Sequence, residues 1–484
     1  MNTHAVYSRL LRRQCPVLVY ALLVCLSIGS GCQRHIVSTG STSKEVEFWL
    51  TNPDRSALFA KQPGILSFGN NTSANPTITI DESRTFQSVD GFGYTLTGGS
   101  ALLINRMEPK AKAALLQELF STTGNSIGVS YLRISIGASD LDERVFSYDD
   151  LPEGQTDVKL DKFSLDPDRR DLIPVLKQIL AINPAIKILG SPWSPPTWMK
   201  TNTNSKGGSL KPDYYGAYAQ YFVKYIQGMK AEGIRIDAVT IQNEPLHPGN
   251  NPSMLMLPQE QATFIKTSLG PAFQQARIDT KLILYDHNAD RPDYPLAILN
   301  DPEAKKYVDG SAFHLYAGPI EALTRVHNAH PDKNLYFTEQ WVGAPGDLKV
   351  DLAWHVKTLI IGATRNWACT VLEWNLAADP KQNPHTIGGC TQCLGAITIE
   401  GNTLTRNSAY YIIAVASKFV RPGSVRIASN TSETLPNVAF KTLEGRIALI
   451  VLNTSPLSQA FTIGYQGKSL ATSLPAGSVG TYVW

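Results

Sequence analysis

The sequence predicts an α/β protein, a (β/α)8 TIM barrel with a side β-sandwich built from both ends of the chain. In residues 84–419, short β-branched runs alternate with amphipathic helical segments, and eight such strands can be counted. This alternation predicts a parallel sheet, and eight units predict closure into a barrel. On either side of this region, short strands follow one another without helices between them.

The barrel elements follow in a regular order. The predicted strands are 89–93, 128–136, 186–190, 238–244, 281–285, 311–316, 334–339 and 369–374. The predicted helices are 109–120, 170–182, 214–231, 258–275, 320–328, 350–363 and 408–419. Pro109 is a favoured first helical residue, and apolar residues at helical spacing fill the second helix.

The flanking segments have the sequence pattern of a β-sandwich. Gly, Pro and Asn turns separate predicted strands at 424–429, 437–443, 447–453, 459–464, 468–473 and 478–484. Near the other end, the strands 46–50 and 77–80 have no helices after them and no partners of their own. We therefore expect residues 44–83 and 420–484 to form one sandwich beside the barrel.

The first 31 residues have the pattern of a secretory signal peptide. Its parts are the basic residues Arg9, Arg12 and Arg13, the apolar run 17–26 and the small residues 29–31. The apolar run is too short to span a bilayer comfortably. We therefore expect an exported protein that loses this segment.

Cys32, directly after the small residues, resembles the lipidation site of bacterial lipoproteins. The match departs from the usual pattern at Gly29, where a Leu is common. Lipidation would attach the protein to a membrane, the outer membrane of a Gram-negative host, with the polar residues 32–43 as a tether. Ordinary signal cleavage, which gives a periplasmic or extracellular protein, is the alternative.

Composition and cysteine spacing exclude some classes of site. The 484 residues carry 44 Lys and Arg against 41 Asp and Glu, so nothing in the composition suggests nucleic-acid binding, which would need a concentrated basic face. Cys390 and Cys393 form a lone C-x-x-C pair, which in an exported protein favours a local disulfide. A zinc site would need two more ligands, and only His385 is near. Cys369 lies in an apolar strand and is interpreted as a buried thiol.

Two carboxylates end predicted strands on the same face of the barrel. Strand 4 ends in Asn243-Glu244-Pro245, where the proline stops the strand, and strand 7 ends in Glu339. Barrel enzymes keep their chemistry at the carboxyl ends of the strands. Two carboxylates across a barrel mouth are the minimum for glycoside hydrolysis, in which one protonates the leaving oxygen and the other attacks the anomeric carbon.

Aromatic and polar residues end the other predicted strands. They are Arg133 after strand 2, Trp193 and Trp198 after strand 3, His314 and Tyr316 after strand 6, and Trp374 and Asn375 after strand 8. Sugar rings stack on aromatic planes, and their hydroxyls need fixed donors and acceptors. Any one of these Trp residues is readily explained by core packing, but the set favours a carbohydrate substrate, with no cofactor or metal implied.

These stretches together resemble glycoside hydrolase family 30, the glucosylceramidase-like enzymes. The resemblance is carried by residues 90–93, 133–136, 191–199, 242–245, 337–339 and 373–376, which extend from strand 1 to strand 8. The fold of that family is a (β/α)8 barrel with a side β-sandwich, in agreement with the pattern described above.

The resemblance implies a role for individual residues. Glu244 corresponds to the acid/base of the family and Glu339 to its nucleophile. Asn243 corresponds to the residue that binds the sugar 2-hydroxyl, and Asp140 to an acceptor for another hydroxyl. The positions that form the pocket wall and stack on the sugar are Trp193, Tyr316 and Trp374. In a retaining enzyme the two carboxyl groups stand about 5–5.5 Å apart. Glu244 must donate a proton, so we expect its pKa to exceed that of Glu339 in the free enzyme.

Two departures from the family pattern bear on the substrate. Glu373 stands where mammalian glucosylceramidases have Asp, and the loop 384–393 resembles the β-1,6-glucanase branch of the family. We therefore expect an exported retaining β-glycosidase with β-1,6-glucan as its leading substrate, and a glucosylceramidase as the alternative. A non-catalytic glycan-binding surface lipoprotein would lack one of the carboxylates. A serine hydrolase would need a G-x-S-x-G motif, which the sequence does not contain.

Overall fold

The computed structural model describes residues 45–70 and 74–484. The predicted signal peptide, the tether and Cys32 lie outside the described residues. Within those residues, no helix combines the length and the apolar character needed to cross a bilayer.

Eight parallel strands close into a barrel, which confirms the predicted fold class. They are Gly91–Thr95, Tyr131–Ile136, Lys187–Pro192, Ala238–Thr240, Lys281–Asn288, Val308–His314, Asn334–Glu339 and Ala368–Asn375, called barrel strands 1 to 8 below. Strand 8 closes the barrel on strand 1, with Thr370 opposite Gly91. Strands 1, 2 and 8 are buried along their whole length, as expected where both faces of a parallel sheet are covered.

Helices surround the barrel at the predicted places. The α-helices are Gly98–Arg106, Pro109–Phe120, Asp166–Arg169, Leu172–Ile182, Tyr215–Ala231, Pro258–Phe264, Gly270–Ala276, Asp293–Leu299, Pro302–Lys305, Ala322–Ala329, Leu348–His355 and Ser408–Ser417. The π-helical segments are Ile265–Leu269 and Val356–Ala363, and the 3-10 turns are Thr197–Met199 and Pro212–Tyr214. Each π-helical segment continues an α-helix, so the predicted helices 258–275 and 350–363 are continuous. Helix Leu172–Ile182 buries Leu172, Leu176 and Ile179, which share one face.

Ten strands from both ends of the chain form the sandwich. They are Glu45–Thr51, Ala60–Lys61, Leu66–Ser67, Thr77–Ser88, Val425–Ser429, Asn437–Lys441, Ile447–Leu452, Gln459–Tyr465, Lys468–Leu474 and Val479–Val483. Glu45–Thr51 pairs antiparallel with Val479–Val483, and Thr77–Ser88 pairs with Val425–Ser429. The chain ends therefore share one sheet, as predicted. Thr77–Ser88 is longer than predicted and crosses the expected domain boundary at residue 83.

The long segment after barrel strand 8 contains more structure than its sequence predicts. Ala377–Ala378, Ile397–Glu400 and Thr403–Arg406 form a small sheet, and Cys393–Leu394 pairs with Val342–Gly343 beyond barrel strand 7. These short pairings hold the loop 384–393 between them. They fix it beside the carboxyl ends of the barrel strands.

Candidate active site

Glu244 and Glu339 face each other at the carboxyl end of the barrel. Glu339 is the last residue of barrel strand 7, and Glu244 follows barrel strand 4 by four residues. Glu244 has a left-handed backbone with φ 44°, and its N–H donates to the Asp286 carbonyl at 2.9 Å. Such backbone angles are uncommon outside glycine and concentrate at functional sites. One carboxylate oxygen of each glutamate lies within 4.8 Å of the other, close to the roughly 5–5.5 Å of retaining glycosidases.

A buried arginine holds Glu339 in place. The Arg133 side chain is fully buried, and its Nη1 donates to Glu339 Oε2 at 2.5 Å. Its Nη2 donates to Asn243 Oδ1 at 2.6 Å and to Asp286 Oδ2 at 2.8 Å. The Tyr316 hydroxyl donates to the other oxygen of Glu339 at 2.9 Å. Burial opposes the charge on Arg133, but the Asp286 and Glu339 carboxylates raise its pKa above the ordinary value.

A second network links Glu244 to the same buried charges. His314 Nδ1 lies 3.1 Å from Glu244 Oε1, and its Nε2 lies 3.0 Å from Asp286 Oδ1. Asp286 also accepts hydrogen bonds from the hydroxyls of Thr240 at 2.8 Å and Thr338 at 2.6 Å. Although burial opposes ionisation of Asp286, the charges of Arg133 and His314 lower its pKa far below the ordinary value. Burial also opposes protonation of His314, but the surrounding carboxylates raise its pKa to about 9. His314 is therefore a cation at neutral pH, donating from both nitrogens.

The pKa values of the two glutamates in the empty site have the reverse of the expected order. Burial would raise the pKa of Glu244, but the hydrogen bond and charge of His314 lower it below the ordinary value. Burial raises the pKa of Glu339, although the charges of His314 and Arg133 oppose this. The expectation was wrong because it left out the orientation of His314, whose Nδ1 lies 3.1 Å from Glu244 and 3.7 Å from Glu339.

A cavity of about 440 Å³ opens in front of the two carboxylates. Its volume lies within the roughly 300–1,000 Å³ typical of small-molecule sites. Five of the predicted substrate-binding residues line it, namely Asp140, Trp193, Asn243, Tyr316 and Trp374. The rings of Trp193 and Trp374 pack with centroids 5.4 Å apart, and the Arg133 guanidinium lies 4.8 Å from the Trp193 ring. This wall offers aromatic surface and polar groups together, as a sugar ring requires.

The structure does not bring Arg133, His314 and Asn375 to the cavity surface. Arg133 and His314 are fully buried behind the two glutamates, because they pair with Asp286. Asn375 Oδ1 instead accepts a hydrogen bond from the Ser100 hydroxyl at 2.8 Å, near the start of helix Gly98–Arg106. In this structure all three residues support the site from behind the cavity wall, and their contact with substrate stays a prediction.

The loop 384–393 forms part of the cavity wall. Cys390 and Cys393 are joined by a disulfide, and both line the cavity. Cys369 is buried and forms no disulfide within residues 45–70 and 74–484. The Cys390 N–H donates to Asp140 Oδ2 at 3.2 Å. A Cβ on Gly389 would lie 2.4 Å from the Asp140 carbonyl oxygen, so only glycine permits this close approach. Burial and the nearby Glu339 charge raise the pKa of Asp140 to about 7.

Several residues of the site were missed by sequence reasoning. Asp286 is central to the buried network, and the cavity is also lined by His247, Asn250, His287, Asn288 and Trp341. Asp286, His287 and Asn288 end barrel strand 5. The rule that identified Glu244 and Glu339, polar residues after an apolar strand, applies equally there and could have found them.

Among the described residues, one group has metal-ligating atoms close together, formed by Glu244, His314 and Glu339. A protonated imidazole donates hydrogen bonds and must lose a proton before it can bind a metal. Because both nitrogens of His314 point at carboxylates, the group is explained as a network of charge-assisted hydrogen bonds. The disulfide likewise accounts for Cys390 and Cys393 without zinc.

Comparison with known proteins agrees with this geometry. The family model for the glycosyl hydrolase family 30 TIM-barrel domain matches residues 89–420, and the model for the β-sandwich domain of the same family matches residues 423–482. An endo-1,6-β-D-glucanase of Neurospora crassa is 37% identical over 379 residues, which cover 76% of this chain and 77% of the relative. The mouse lysosomal acid glucosylceramidase is 32% identical over 444 residues, covering 86% and 84%. The solved structure of the endo-β1,6-glucanase BT3312 superposes with a TM-score of 0.86 at 36% identity, covering 91% of this chain and 99% of that one.

Proposed function

This chain belongs to glycosyl hydrolase family 30 and is a glycoside hydrolase, and from that premise we propose that it hydrolyses β-1,6-glucan by double displacement. The observation that carries the mechanism is the pair of carboxylate oxygens within 4.8 Å of each other at the mouth of the cavity. This separation is below the roughly 6.5–9.5 Å of inverting enzymes, which place a water between their carboxyl groups.

In the first step, Glu339 is the nucleophile and Glu244 the acid. A Glu339 oxygen forms a bond to the anomeric carbon while the bond from that carbon to the leaving oxygen breaks. The Glu244 proton passes to the leaving oxygen, so the leaving sugar departs as a neutral alcohol. The hydrogen bonds from Arg133 and Tyr316 fix Glu339 for attack, and the two Trp rings form the wall for the sugar that is attacked.

In the second step, Glu244 acts as a base. It takes a proton from water while the water oxygen bonds to the anomeric carbon, and the ester to Glu339 breaks. Two inversions leave the product with the β configuration of the substrate. The glycosyl ester removes the Glu339 charge, so Glu244 is then free to ionise next to cationic His314.

The first step needs a proton on Glu244, whereas the empty site favours its ionised form. His314 Nδ1 lies 3.1 Å from Glu244 and 3.7 Å from Glu339, so a small tilt of the ring moves its hydrogen bond to Glu339. That movement lowers the pKa of Glu339 and raises that of Glu244. Two carboxylates as close as these share one proton, and the tilt of the His314 ring places that proton on Glu244, the acid.

The substrate assignment is supported by the relatives. The Neurospora crassa relative and BT3312 are both named for endo-β-1,6-glucanase activity, at 37% and 36% identity. The mouse glucosylceramidase, at 32% identity, supports glucosylceramide-like β-glucosides as the second candidate. Both substrates present a β-linked glucose to the same two carboxylates.

Product profiling tests the assignment. The purified protein is incubated with β-1,6-, β-1,3- and β-1,4-linked gluco-oligosaccharides and with glucosylceramide in detergent. We expect the highest kcat/KM on the β-1,6 series, and NMR of the first product should show the β-anomer. Efficient glucosylceramide cleavage without activity on β-1,6-glucan would overturn the substrate while leaving the mechanism in place. An α-anomer as first product would overturn the mechanism.

We also propose that the protein is exported and attached to a membrane through lipidated Cys32. The sequence pattern of residues 1–32 supports this, and Gln33 rather than Asp after the Cys favours the outer membrane in a Gram-negative host. Wild-type protein should partition with membranes, whereas Cys32→Ser should release it or block its processing. A soluble wild-type protein whose mature N-terminus lacks Cys32 would refute the anchor.

A further inference from the structure

The cavity wall beside Glu244 differs from the wall beside Glu339. Next to Glu244, the segment after barrel strand 4 and the end of barrel strand 5 supply imidazole and carboxamide groups, from His247, Asn250, His287 and Asn288. Next to Glu339, Trp193 and Trp374 supply two aromatic rings that pack against each other at an angle of 30°. An acid must lie beside the leaving oxygen. The unit attached to that oxygen therefore extends past Glu244, along the polar wall.

His287 is the most deeply placed of these four residues. It is only 7% exposed, yet it lines the cavity. Its Nε2 lies 4.0 Å from Glu244 Oε1, which is too far for a hydrogen bond, so this nitrogen is available to a ligand in the cavity. Its Nδ1 is enclosed by protein and has no hydrogen-bond partner among the described residues, so the ring meets a ligand through Nε2.

The chemistry of His287 suits a sugar hydroxyl. Burial lowers its pKa to about 4, so the ring is neutral at neutral pH. A neutral imidazole donates or accepts at Nε2 according to its tautomer, and a hydroxyl can act as the complementary acceptor or donor. The ring carries no charge at neutral pH with which to perturb Glu244. Its contribution there is therefore hydrogen bonding and shape.

We propose that His287 binds a hydroxyl of the leaving glucosyl unit and thereby determines which sugar is accepted on the leaving-group side of the cleavage point. This inference rests on the proposed function, because it takes Glu244 as the acid/base. It goes beyond that function because it assigns a subsite for the leaving sugar, formed by His247, Asn250, His287 and Asn288. Within this subsite, His287 is the residue that recognises the sugar.

Competition between acceptors tests the subsite apart from the cleavage step. An aryl β-glucoside forms the glycosyl-enzyme, which then reacts with water, methanol or glucose supplied together. Glucose must occupy the leaving-group subsite, whereas methanol needs little of it. We expect His287→Phe to lower the ratio of glucobiose to methyl glucoside roughly tenfold, as expected for the loss of one hydrogen bond. His287→Gln, which keeps a donor and an acceptor, should restore much of the ratio.

A matched substitution controls for unspecific effects. His327 stacks on Trp367 with centroids 3.7 Å apart, in helix Ala322–Ala329, and is absent from the cavity wall. His327→Phe should leave the acceptor ratio unchanged. If His287→Phe folds poorly, His287→Ala is measured in its place, with near-ultraviolet circular dichroism as the check on folding.

The outcomes separate this inference from the proposed function. An unchanged acceptor ratio in a folded His287→Phe variant overturns the subsite. Equal losses with glucose and methanol also overturn it, because the residue then acts through Glu244. If the wild type cleaves aryl β-glucosides but no β-1,6-linked oligosaccharide, the proposed substrate fails, while the acceptor ratio still measures the subsite.

Discussion

Glu339 and Glu244 face each other across the barrel mouth, but their surroundings differ. Glu339 is held by Arg133 and Tyr316, which stay protonated across the neutral range. Glu244 accepts one side-chain hydrogen bond in the described part of the chain, from the titratable His314. A nucleophile requires a fixed position, whereas an acid/base must lose and regain a proton. The hydrogen-bond partners of Glu339 thus suit a nucleophile, and the titratable partner of Glu244 suits an acid/base.

The largest effect should come from removing the fixed carboxylate. Glu339→Ala should lower turnover of every β-glucoside by roughly 10⁵-fold or more, because no glycosyl ester can form. Steady-state kinetics with an aryl β-glucoside measures the loss, and intact-mass spectrometry of the quenched protein shows whether the ester is absent. The exposed Glu153→Ala is the matched control and should keep wild-type turnover. Substantial activity in Glu339→Ala would remove Glu339 from the mechanism.

Removing the acid/base should have an effect that depends on the leaving group. Glu244→Ala should lose roughly 10²–10⁴-fold on β-1,6-linked oligosaccharides, the usual contribution of general acid–base catalysis. Aryl glucosides with very good leaving groups need little protonation, so their first step should be nearly spared. Added azide should then speed the second step and give a β-glycosyl azide, identified by NMR. An α-azide would show that the roles of the two glutamates are reversed.

The pH dependence of kcat/KM tests the role of His314, the hydrogen-bond partner of Glu244. His314 is cationic below its pKa of about 9 and lowers the pKa of both Glu244 and Glu339. His314→Asn removes that charge, so both pKa values should rise. The rate falls at high pH when the pair of glutamates loses its shared proton, and at low pH when the pair gains a second one. Both limbs of the kcat/KM profile should therefore move to higher pH. His330→Gln, outside the cavity wall, is the control, and an unmoved profile in His314→Asn would contradict the network.

The features that the sequence predicted well are those that local pattern determines. The alternation of strands and helices predicted the closed barrel. The position of a polar residue at the end of an apolar strand predicted that Glu244 and Glu339 lie on one face of it. The helix that begins at Pro109 ends at Phe120, as its pattern predicts. Even the joining of the two chain ends in one sheet followed from strands that had no partners nearby.

The features that the sequence did not predict depend on side-chain direction and long-range contact. Asn375 follows a strand just as Glu339 does, yet its side chain turns to Ser100 rather than to the cavity. His314 Nδ1 lies 3.1 Å from Glu244 and 3.7 Å from Glu339, so it hydrogen-bonds to Glu244. No local sequence pattern determines this difference in distance. The expected order of the two pKa values was therefore wrong, although both residues were correctly located.

The smallest effect should come from removing the disulfide Cys390–Cys393, which lies on the Glu339 side of the cavity. Cys390 donates its N–H to Asp140, and Gly343, just beyond barrel strand 7, pairs with Cys393. The ring that the disulfide closes is short, so its removal restores little chain entropy to the unfolded state. Cys390→Ser with Cys393→Ser should therefore lower the unfolding temperature by no more than about 3 °C.

The same double substitution should act more strongly on substrate choice. The loop also reaches the leaving-group side of the cavity, where Asn251 Nδ2 donates to the Ile387 carbonyl at 3.0 Å. A loosened loop fixes neither Asp140 nor that side, so the preference for β-1,6 over β-1,3 oligosaccharides, measured as a ratio of kcat/KM, should fall by up to roughly tenfold. Cys369→Ala removes a buried thiol near the opposite end of barrel strand 8 and is the control. It should lower the unfolding temperature, because it opens space in a packed interior, without changing the ratio. If the double substitution instead lowers the unfolding temperature strongly and leaves the ratio unchanged, the disulfide stabilises the fold and does not position Asp140.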